Sequence, residues 1–581
     1  MVYKDRLDHV FNMEFNTVHN LEQSFAMGSI QVECYNILII GAGLSGVCSL
    51  YNLRKRFPDW SIKVLEAADS VGGTWYWNRY PGARVDSESL SYAFSFDKEL
   101  MNEWHWKESF APQSEILRYI ERIAEKHELA KNIQFNTRIK SARWQGHSRT
   151  WIFTDEAGTQ YQTRFFVSCM GFLSSPTLPA IPGLDTFKGQ AFHTSRWPKN
   201  FDLSRDFANK RIGVIGTGAT GIQTITAVSN EPSVQSVTVF QRTANWSAPL
   251  RNEHISLEQM QKHWQNYDDL FQICAETPGC FLHQADPRKS LEVTPEERLA
   301  LWEEIYAKPG FAKWLGTFSD TYTDREANKL YSDFMASKIR ARVHDPKVAD
   351  SLIPKNHGFG TRRVPLESGY FEVYNKPNVH LVDLQQTPIK EIMAKGIITS
   401  DDKEHDLDVL ICATGFDAIT GAYSAIEWHG KDGRPLLGNS DTKQGQQAVW
   451  VDHRPQTFLG LTACSMPNMF MILGPHQPFG NAPRTIEHAV AVVSDLLQYC
   501  KDNKYSYVEP TPEAVERWTE HVVECSKGQL ANEIDSWMTG VNKNIKGKTA
   551  RSVARYSGHA AEYRRKCAEC KESGWKGLIF A

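Results

Sequence analysis

Two glycine-rich turns, each set between an apolar strand and a helical pattern, and a block of charged, aromatic-rich helical sequence beyond the second turn predict an α/β chain. Its architecture is two Rossmann-like dinucleotide-binding domains with a helical insertion. The length agrees, since 581 residues exceed what one hydrophobic core usually supports. Lys plus Arg total 65 against 68 for Asp plus Glu, net −3, with no long basic run, so nucleic acid is not an expected partner. No apolar run approaches the roughly 18 residues of a spanning helix, and the N-terminus lacks a basic-then-apolar leader. The expectation is a cytoplasmic protein without stable membrane insertion, its 11 scattered cysteines kept as free thiols. The close pair Cys567 and Cys570, in a charged helical tail, reads as surface thiols, and no metal site is expected. Oligomeric state has no signature in the chain.

The first turn lies in YNILIIGAGLSGVCSLYNL, residues 35–53. Gly41 allows the tight turn, Gly43 lets backbone approach a pyrophosphate and Gly46 permits close packing, while the following helix N-terminus offers free N–H groups. A second strand, SIKVLEA, ends at Glu66, where a carboxylate can bind ribose hydroxyls. Downstream, VGGTWYWNRYPGARVDSES supplies Gly72, Gly73 and Thr74 for close contact, and the aromatics Trp75, Tyr76 and Trp77 to enclose a flat ring. A flavin, as FAD, suits this site.

The second turn is RIGVIGTGATG, with Gly216, Gly218, Thr220 and Gly221. The next strand ends in Gln241, Arg242 and Thr243 rather than in an acid, so a guanidinium and a hydroxyl stand where a 2′-phosphate would lie. NADP is favoured over NAD. A flavin beside a hydride donor defines an oxidoreductase. No redox CxxC follows the first turn, which turns attention to oxygen as electron acceptor.

Between the turns runs FKGQAFHTSRWP, residues 187–198. Phe187, Gly189, His193 and Trp197 fill every fixed position of the fingerprint FxGxxxHxxxW(P/D), and from about Tyr35 to Trp537 the chain strongly resembles the type I Baeyer–Villiger monooxygenases, class B flavoproteins. Further matches are GGTWYWNRYPGARVDSES, the ATG hinge of VLICATGFD with Thr414 and Gly415, and GFGTRRVPLESGYFEVYNKPNVHLVD. The tail after Trp537 resembles the fungal branch. Read from the residues alone, the glycine and proline around His193 and Trp197 make this stretch a structured linker. The resemblance makes its four fingerprint residues conformational, a hinge that aligns two cofactors.

The resemblance implies a ketone substrate and O2, converted to an ester or lactone through a peroxide on the flavin C4a carbon. That peroxide must stay anionic to attack a carbonyl, and a permanently charged donor beside it is apt. Arg363 falls on the family's catalytic arginine and Arg362 on the partner of the 2′-phosphate. Asp86 falls on the flavin-side aspartate that orients the catalytic arginine. Trp537 falls on a tryptophan of a mobile loop, for which Gly540 and Gly547 make a plausible lid. Glu367 departs from the commoner aspartate. Two alternatives share the scaffold: a flavin-dependent heteroatom (S/N) monooxygenase, and a non-oxygenating dinucleotide-binding redox sensor. The expected organisation is FAD-binding over residues 1–172 and 411–581, the latter carrying the mobile loop and tail, NADP-binding over 173–250 and 344–410, and a helical insertion over 251–343 covering the NADP domain.

Overall fold

The computed structural model describes residues 33–545 and 548–581, so Gly547 and the first 32 residues lie outside the described residues. In chain order the strands that build the two large sheets begin with β1 (Glu33–Ile40), β2 (Ile62–Leu65), β3 (Ile133–Gln134), β4 (Ile139–Gln145), β5 (Thr150–Asp155) and β6 (Gln160–Ser168). They continue as β7 (Gln190–His193), β8 (Arg211–Ile215), β9 (Ser236–Gln241), β10 (Val379–Asp383), β11 (Val409–Cys412), β12 (Glu427–His429) and β13 (Met469–Met471). Helices α1 (Leu44–Arg56) and α2 (Ala219–Ser229) follow the two glycine turns.

The first sheet runs β12-β4-β5-β6-β1-β2-β3, with β13 also beside β6. β1, β2, β3, β6 and β13 are parallel, as a doubly wound unit requires, while β4 and β5 enter antiparallel as a meander. Ile37, Leu38 and Ile39 are fully buried, because a strand covered on both faces has no polar side to alternate with. The second sheet, β10-β9-β8-β11-β7, is parallel throughout. The first sheet thus takes strands from both sides of the second in sequence, and the chain returns to it after β11.

The fingerprint is more than a linker. Its residues 190–193 form β7, the edge strand of the second sheet, in register with β11 so that His193 lies opposite Cys412. Gly189 has a steric cause: a Cβ there would sit 2.4 Å from the Asp408 carbonyl oxygen and 2.6 Å from the Phe187 ring. Trp197 is buried and stacks on Phe192 at 4.9 Å.

The block 251–343 is helical as expected, with α3 (Leu257–Gln265), α4 (Tyr267–Glu276), α5 (Pro295–Ala307) and α6 (Arg325–Arg340). Ser256 and Thr294 form capping boxes that start α3 and α5. Within the block, α3 packs on the short helix Lys98–Glu103, and α4 on Ser89–Tyr92 and on α9 (Ala560–Glu572), which belong to segments flanking the first sheet. Between α6 and α9 lie α7 (Ala482–Asp502) and α8 (Pro512–Ser526). The tail is helical, but Cys567 and Cys570 are buried rather than surface thiols, at 2% and 9% exposure, because that face of α9 packs inward on the core that also holds Trp575. All 11 cysteines are free. Among the described residues no helix is long and apolar enough to cross a membrane, and no cluster of side chains could hold a metal.

Glu367 is fully buried as a side chain and is held by Arg342 through bonds of 2.7 and 3.0 Å, while it accepts the backbone N–H groups of Gly369 and Tyr370 at 2.8 Å each. Arg342 also grips Glu372. Replacing Arg342 by Met strands a buried carboxylate and should cost roughly 3 kcal/mol. The expected result is a clearly lower Tm of the flavin-loaded protein, and an unchanged Tm would show that this pair does not hold the segment in place.

Candidate active site

A single cavity of about 1260 Å³ opens where the two glycine turns approach each other. Gly41, Gly43, Glu66, Gly73, Thr74, Trp75 and Asp86 line it from the first-sheet side. Gly216, Gly218, Thr220, Arg242 and Thr243 line it from the second, with Arg362, Arg363, Thr414, Gly415 and Trp537. Gly46 and Gly221 do not reach it. They do what close packing requires, since a Cβ on either would lie 1.8 or 2.3 Å from the carbonyl of Gly41 or Gly216. Phe187, Gly189, His193 and Trp197 also stand back from the cavity.

Both turns are built alike. Gly41 and Gly216 adopt φ of +102° and +108°, and a Cβ on them would strike the carbonyls of Cys169 and Ala413. A Cβ on Gly218 would meet nothing within 4 Å, so the backbone there faces open space at the N-terminus of α2, as a pyrophosphate needs. Glu66 directly follows β2 and accepts the N–H groups of Ala42 and Ala68 at 2.5 and 2.8 Å. Burial pushes its carboxyl up, and those two donors oppose that. Of the aromatics, Trp75 and Trp77 line the cavity; Tyr76 does not, because its hydroxyl donates to Asp69 at 2.5 Å on the other side.

At the second turn, burial lowers the guanidinium pKa of both Arg242 and Arg362; at Arg362 the Asp535 carboxylate opposes that and the nearby Arg242 charge adds to it. The Arg362 Nε is buried without a partner. Two converging, desolvated guanidiniums fit a dianion and waste energy without one. These observations fit NADP, held by the 2′-phosphate, and they fit FAD at Glu66 and Gly43.

Arg363 and Asp86 meet between the two turns. The Arg363 Nη2 donates to Asp86 Oδ2 at 2.6 Å, joining residues 277 apart in sequence. The Asp86 side chain is 4% exposed and that of Arg363 33%, so the carboxylate is the fixed partner and the guanidinium the one that reaches the cavity. Burial pushes the Asp86 carboxyl up; the Arg363 charge and the Leu366 backbone hydrogen bond pull the other way. Sequence reasoning missed two further members. Gln223 of α2 donates its Nε2 to Asp86 Oδ1 at 3.5 Å and to the Arg84 carbonyl at 3.2 Å, and Tyr80 donates its hydroxyl to Gln223 Oε1 at 2.8 Å. The only signal was position: Gln223 falls two residues after the last glycine of the second turn.

The fingerprint connects to this site through the hinge. His193 is fully buried; its Nδ1 pairs with the Ser195 hydroxyl at 2.9 Å and its Nε2 with the Gly415 carbonyl at 3.2 Å. Burial lowers its pKa to about 3, so it stays neutral at physiological pH and the Nε2 proton goes to Gly415. Thr177 reaches the same hinge, donating its backbone N–H to Gly415 at 2.9 Å and its hydroxyl to Thr414 at 3.0 Å. The Trp537 ring lies 5.1 Å from that of Phe479.

Two dinucleotide turns facing one cavity, with an acid-held arginine between them, define a flavin- and NADP-dependent oxidoreductase. Residues 35–254 match the model of the flavin-binding monooxygenase-like family. The chain is 40% identical, over 94% of its length and 98% of the relative's, to 2-oxo-Δ3-4,5,5-trimethylcyclopentenylacetyl-CoA monooxygenase of Pseudomonas putida. It is 38% identical to cyclohexanone 1,2-monooxygenase of an Acinetobacter species, over 94% and 96% of the two chains, and 36% to phenazine N-monooxygenase of Lysobacter antibioticus, over 94% and 97%. These three are bacterial. A crystal structure of OTEMO in complex with FAD and NADP superposes with a TM-score of 0.88 at 39% identity, covering 95% of this chain and all of that one. The chain belongs to the Baeyer–Villiger monooxygenases and is an NADPH-dependent flavin enzyme that uses FAD and NADP.

Replacing Arg242 or Arg362 by Ala should raise KM for NADPH about ten- to a hundredfold, the worth of a charge-assisted contact, and leave KM for NADH nearly unchanged. Equal losses with both nucleotides in steady-state kinetics would contradict a 2′-phosphate site here.

Proposed function

We propose that this enzyme inserts one oxygen atom of O2 beside the carbonyl of a ketone, giving an ester or lactone, with Arg363 as the charged group at the reacting centre and Asp86 as the residue that positions it. The 2.6 Å contact between them carries the reading. Bound FAD, reduced by NADPH, supplies the activated oxygen. The chain's own contribution is electrostatic. Arginine keeps its proton at any working pH, so Arg363 places a permanent positive charge where negative charge gathers on oxygen. Asp86 fixes the plane of that guanidinium, Gln223 and the Leu366 N–H hold Asp86, and Trp537 with Phe479 closes the cavity against water.

A further part of this reading is the organisation: residues flanking the first sheet hold FAD, those of the second hold NADP, and His193 ties the two through the hinge at Gly415. Eleven free cysteines support a reducing, cytoplasmic location.

The direct test is a panel of linear and cyclic ketones, with thioether and tertiary amine controls, in which NADPH consumption is followed beside product mass. Gain of one oxygen as an ester or lactone, coupled to NADPH, is expected. Oxygenation confined to sulfur or nitrogen would favour the heteroatom reading. NADPH oxidation with no oxygenated product would sink both.

The pH profile supplies a second check. A carboxyl raised by burial takes up its proton at a higher pH than an ordinary aspartate, and the pair with Arg363 is lost as pH falls through that raised value. Ester formation should therefore fall on the acid side at a pH above the usual aspartate range, and Asp86→Asn should abolish that limb together with most of the activity. An acid limb that survives unchanged in Asp86→Asn would assign it to another group.

A further inference from the structure

Arg555 lines the cavity and has no hydrogen-bonding or ion-pairing partner among the described residues. Of the other cations lining the cavity, Arg84 pairs with Glu108, Arg551 and Lys543 with Asp535, and Arg363 with Asp86, while Arg242 and Arg362 converge at the second glycine turn. Arg555 instead meets burial alone, which brings its guanidinium down to about 10, and no carboxylate offsets that. It keeps its charge at neutral pH, so the cavity wall carries a cation with no carboxylate beside it among the described residues. Such an arrangement is costly unless an anion completes it.

Its place in the fold separates it from both nucleotide turns. Residues 554–556 run alongside 476–478: the His476 N–H donates to the Ala554 carbonyl at 3.0 Å, the Tyr556 N–H donates to the Gln477 carbonyl at 3.1 Å, and Pro478 bridges Tyr556. The next residue along that wall, Phe479, lines the cavity and touches Phe172 and Trp537. Ala554 is buried, and the Tyr556 ring turns away to stack on Trp518, which leaves Arg555 as the side chain of this strand that faces the aromatic end of the cavity. An apolar, aromatic wall with one fixed cation suits an organic molecule that has a hydrocarbon body and a carboxylate at one end.

We propose that Arg555 is a specificity residue, and that the ketones this enzyme prefers carry a carboxylate remote from the carbonyl. The inference rests on the ketone-oxidising reading above and narrows its substrate class to keto acids. The carboxylate takes no part in the chemistry; it anchors one end of the substrate and so fixes which carbonyl face meets the site of Arg363.

The test uses the holoenzyme with NADPH and the three isomeric oxocyclohexylacetates, each beside its neutral methyl ester, with lactone formation measured by mass. For at least one isomer the wild type should favour the acid, and in Arg555→Met the acid-to-ester ratio of kcat/KM should fall about ten- to a hundredfold, as expected for loss of a charged hydrogen bond. Arg555→Lys should recover part of the ratio, which a merely structural role would not require. In parallel, cyclohexylacetate and its neutral amide are titrated into the oxidised holoenzyme with NADP+, and binding is read from flavin absorbance. The acid should bind wild type at least tenfold more tightly than Arg555→Met, with the amide binding both alike. A ratio that does not change in Arg555→Met overturns the inference, as does a KM for NADPH that rises in place of the ratio, which would place Arg555 in the nucleotide site. If no lactone forms from any ketone, the functional reading fails by itself, and the cyclohexylacetate titration still decides the role of Arg555.

Discussion

The ion pair between Asp86 and Arg363 is the constraint around which the rest is arranged. A carboxylate at 4% exposure is expensive, and it stays ionised only while a guanidinium and backbone donors face it. That requirement draws together chain segments 277 residues apart, and it draws α2 of the second sheet against the loop that carries Asp86, because Gln223 binds both Asp86 and the Arg84 carbonyl. Gly82 leaves room for this approach; a Cβ there would lie 2.6 Å from the Gln223 carbonyl. Just beyond Arg363, the Glu367–Arg342 pair and the Leu366 hydrogen bond to Asp86 fix the C-terminal end of the short segment that presents the guanidinium. The charge that the chemistry needs is held by groups that are themselves held.

The same logic explains why the two sheets must communicate. Hydride transfer and oxygen insertion require two cofactors and a substrate in one cavity, so the turn of each dinucleotide unit has to keep its distance from the other. The hinge at Thr414 and Gly415 is where the chain leaves the second sheet for the first, and His193 and Thr177 both hydrogen-bond to it. His193 serves this role as a neutral, fully buried imidazole, which makes it a fixed strut insensitive to pH across the physiological range. Lys548 adds a further tie, buried against Asp417 just beyond the hinge and donating to the Thr420 hydroxyl at 2.9 Å.

Much of this could be read in the sequence because it rests on local, short-range rules. The glycine spacings require particular turns, an arginine in place of an acid after β9 speaks to the 2′-phosphate, and the fingerprint and TRR segment are contiguous. What escaped depends on contacts distant in sequence. Gln223 looks like any polar helix residue until α2 is seen against the Asp86 loop. Tyr76 shares a motif with Trp75 and Trp77 yet turns to Asp69, since helical neighbours face different ways. Cys567 and Cys570 sit in charged text, but the helix they occupy buries the face that carries them. Within the helical block, Trp302 packs in the core as its pattern suggests, whereas Trp314 lines the cavity, a distinction that no single-sequence periodicity carries.

The central claim is that a fixed positive charge at position 363 acts after the flavin has been reduced. Rapid-mixing single turnovers of Arg363→Ala separate the two stages: anaerobic reduction by NADPH is followed first, then the reduced enzyme is mixed with O2 and ketone and the ester and hydrogen peroxide are both quantified. The account predicts reduction within a few-fold of wild type, peroxide released in place of ester, and ester yield down by at least about a hundredfold, the scale of losing one charge-stabilising donor. Near-normal ester yield in that variant would contradict it.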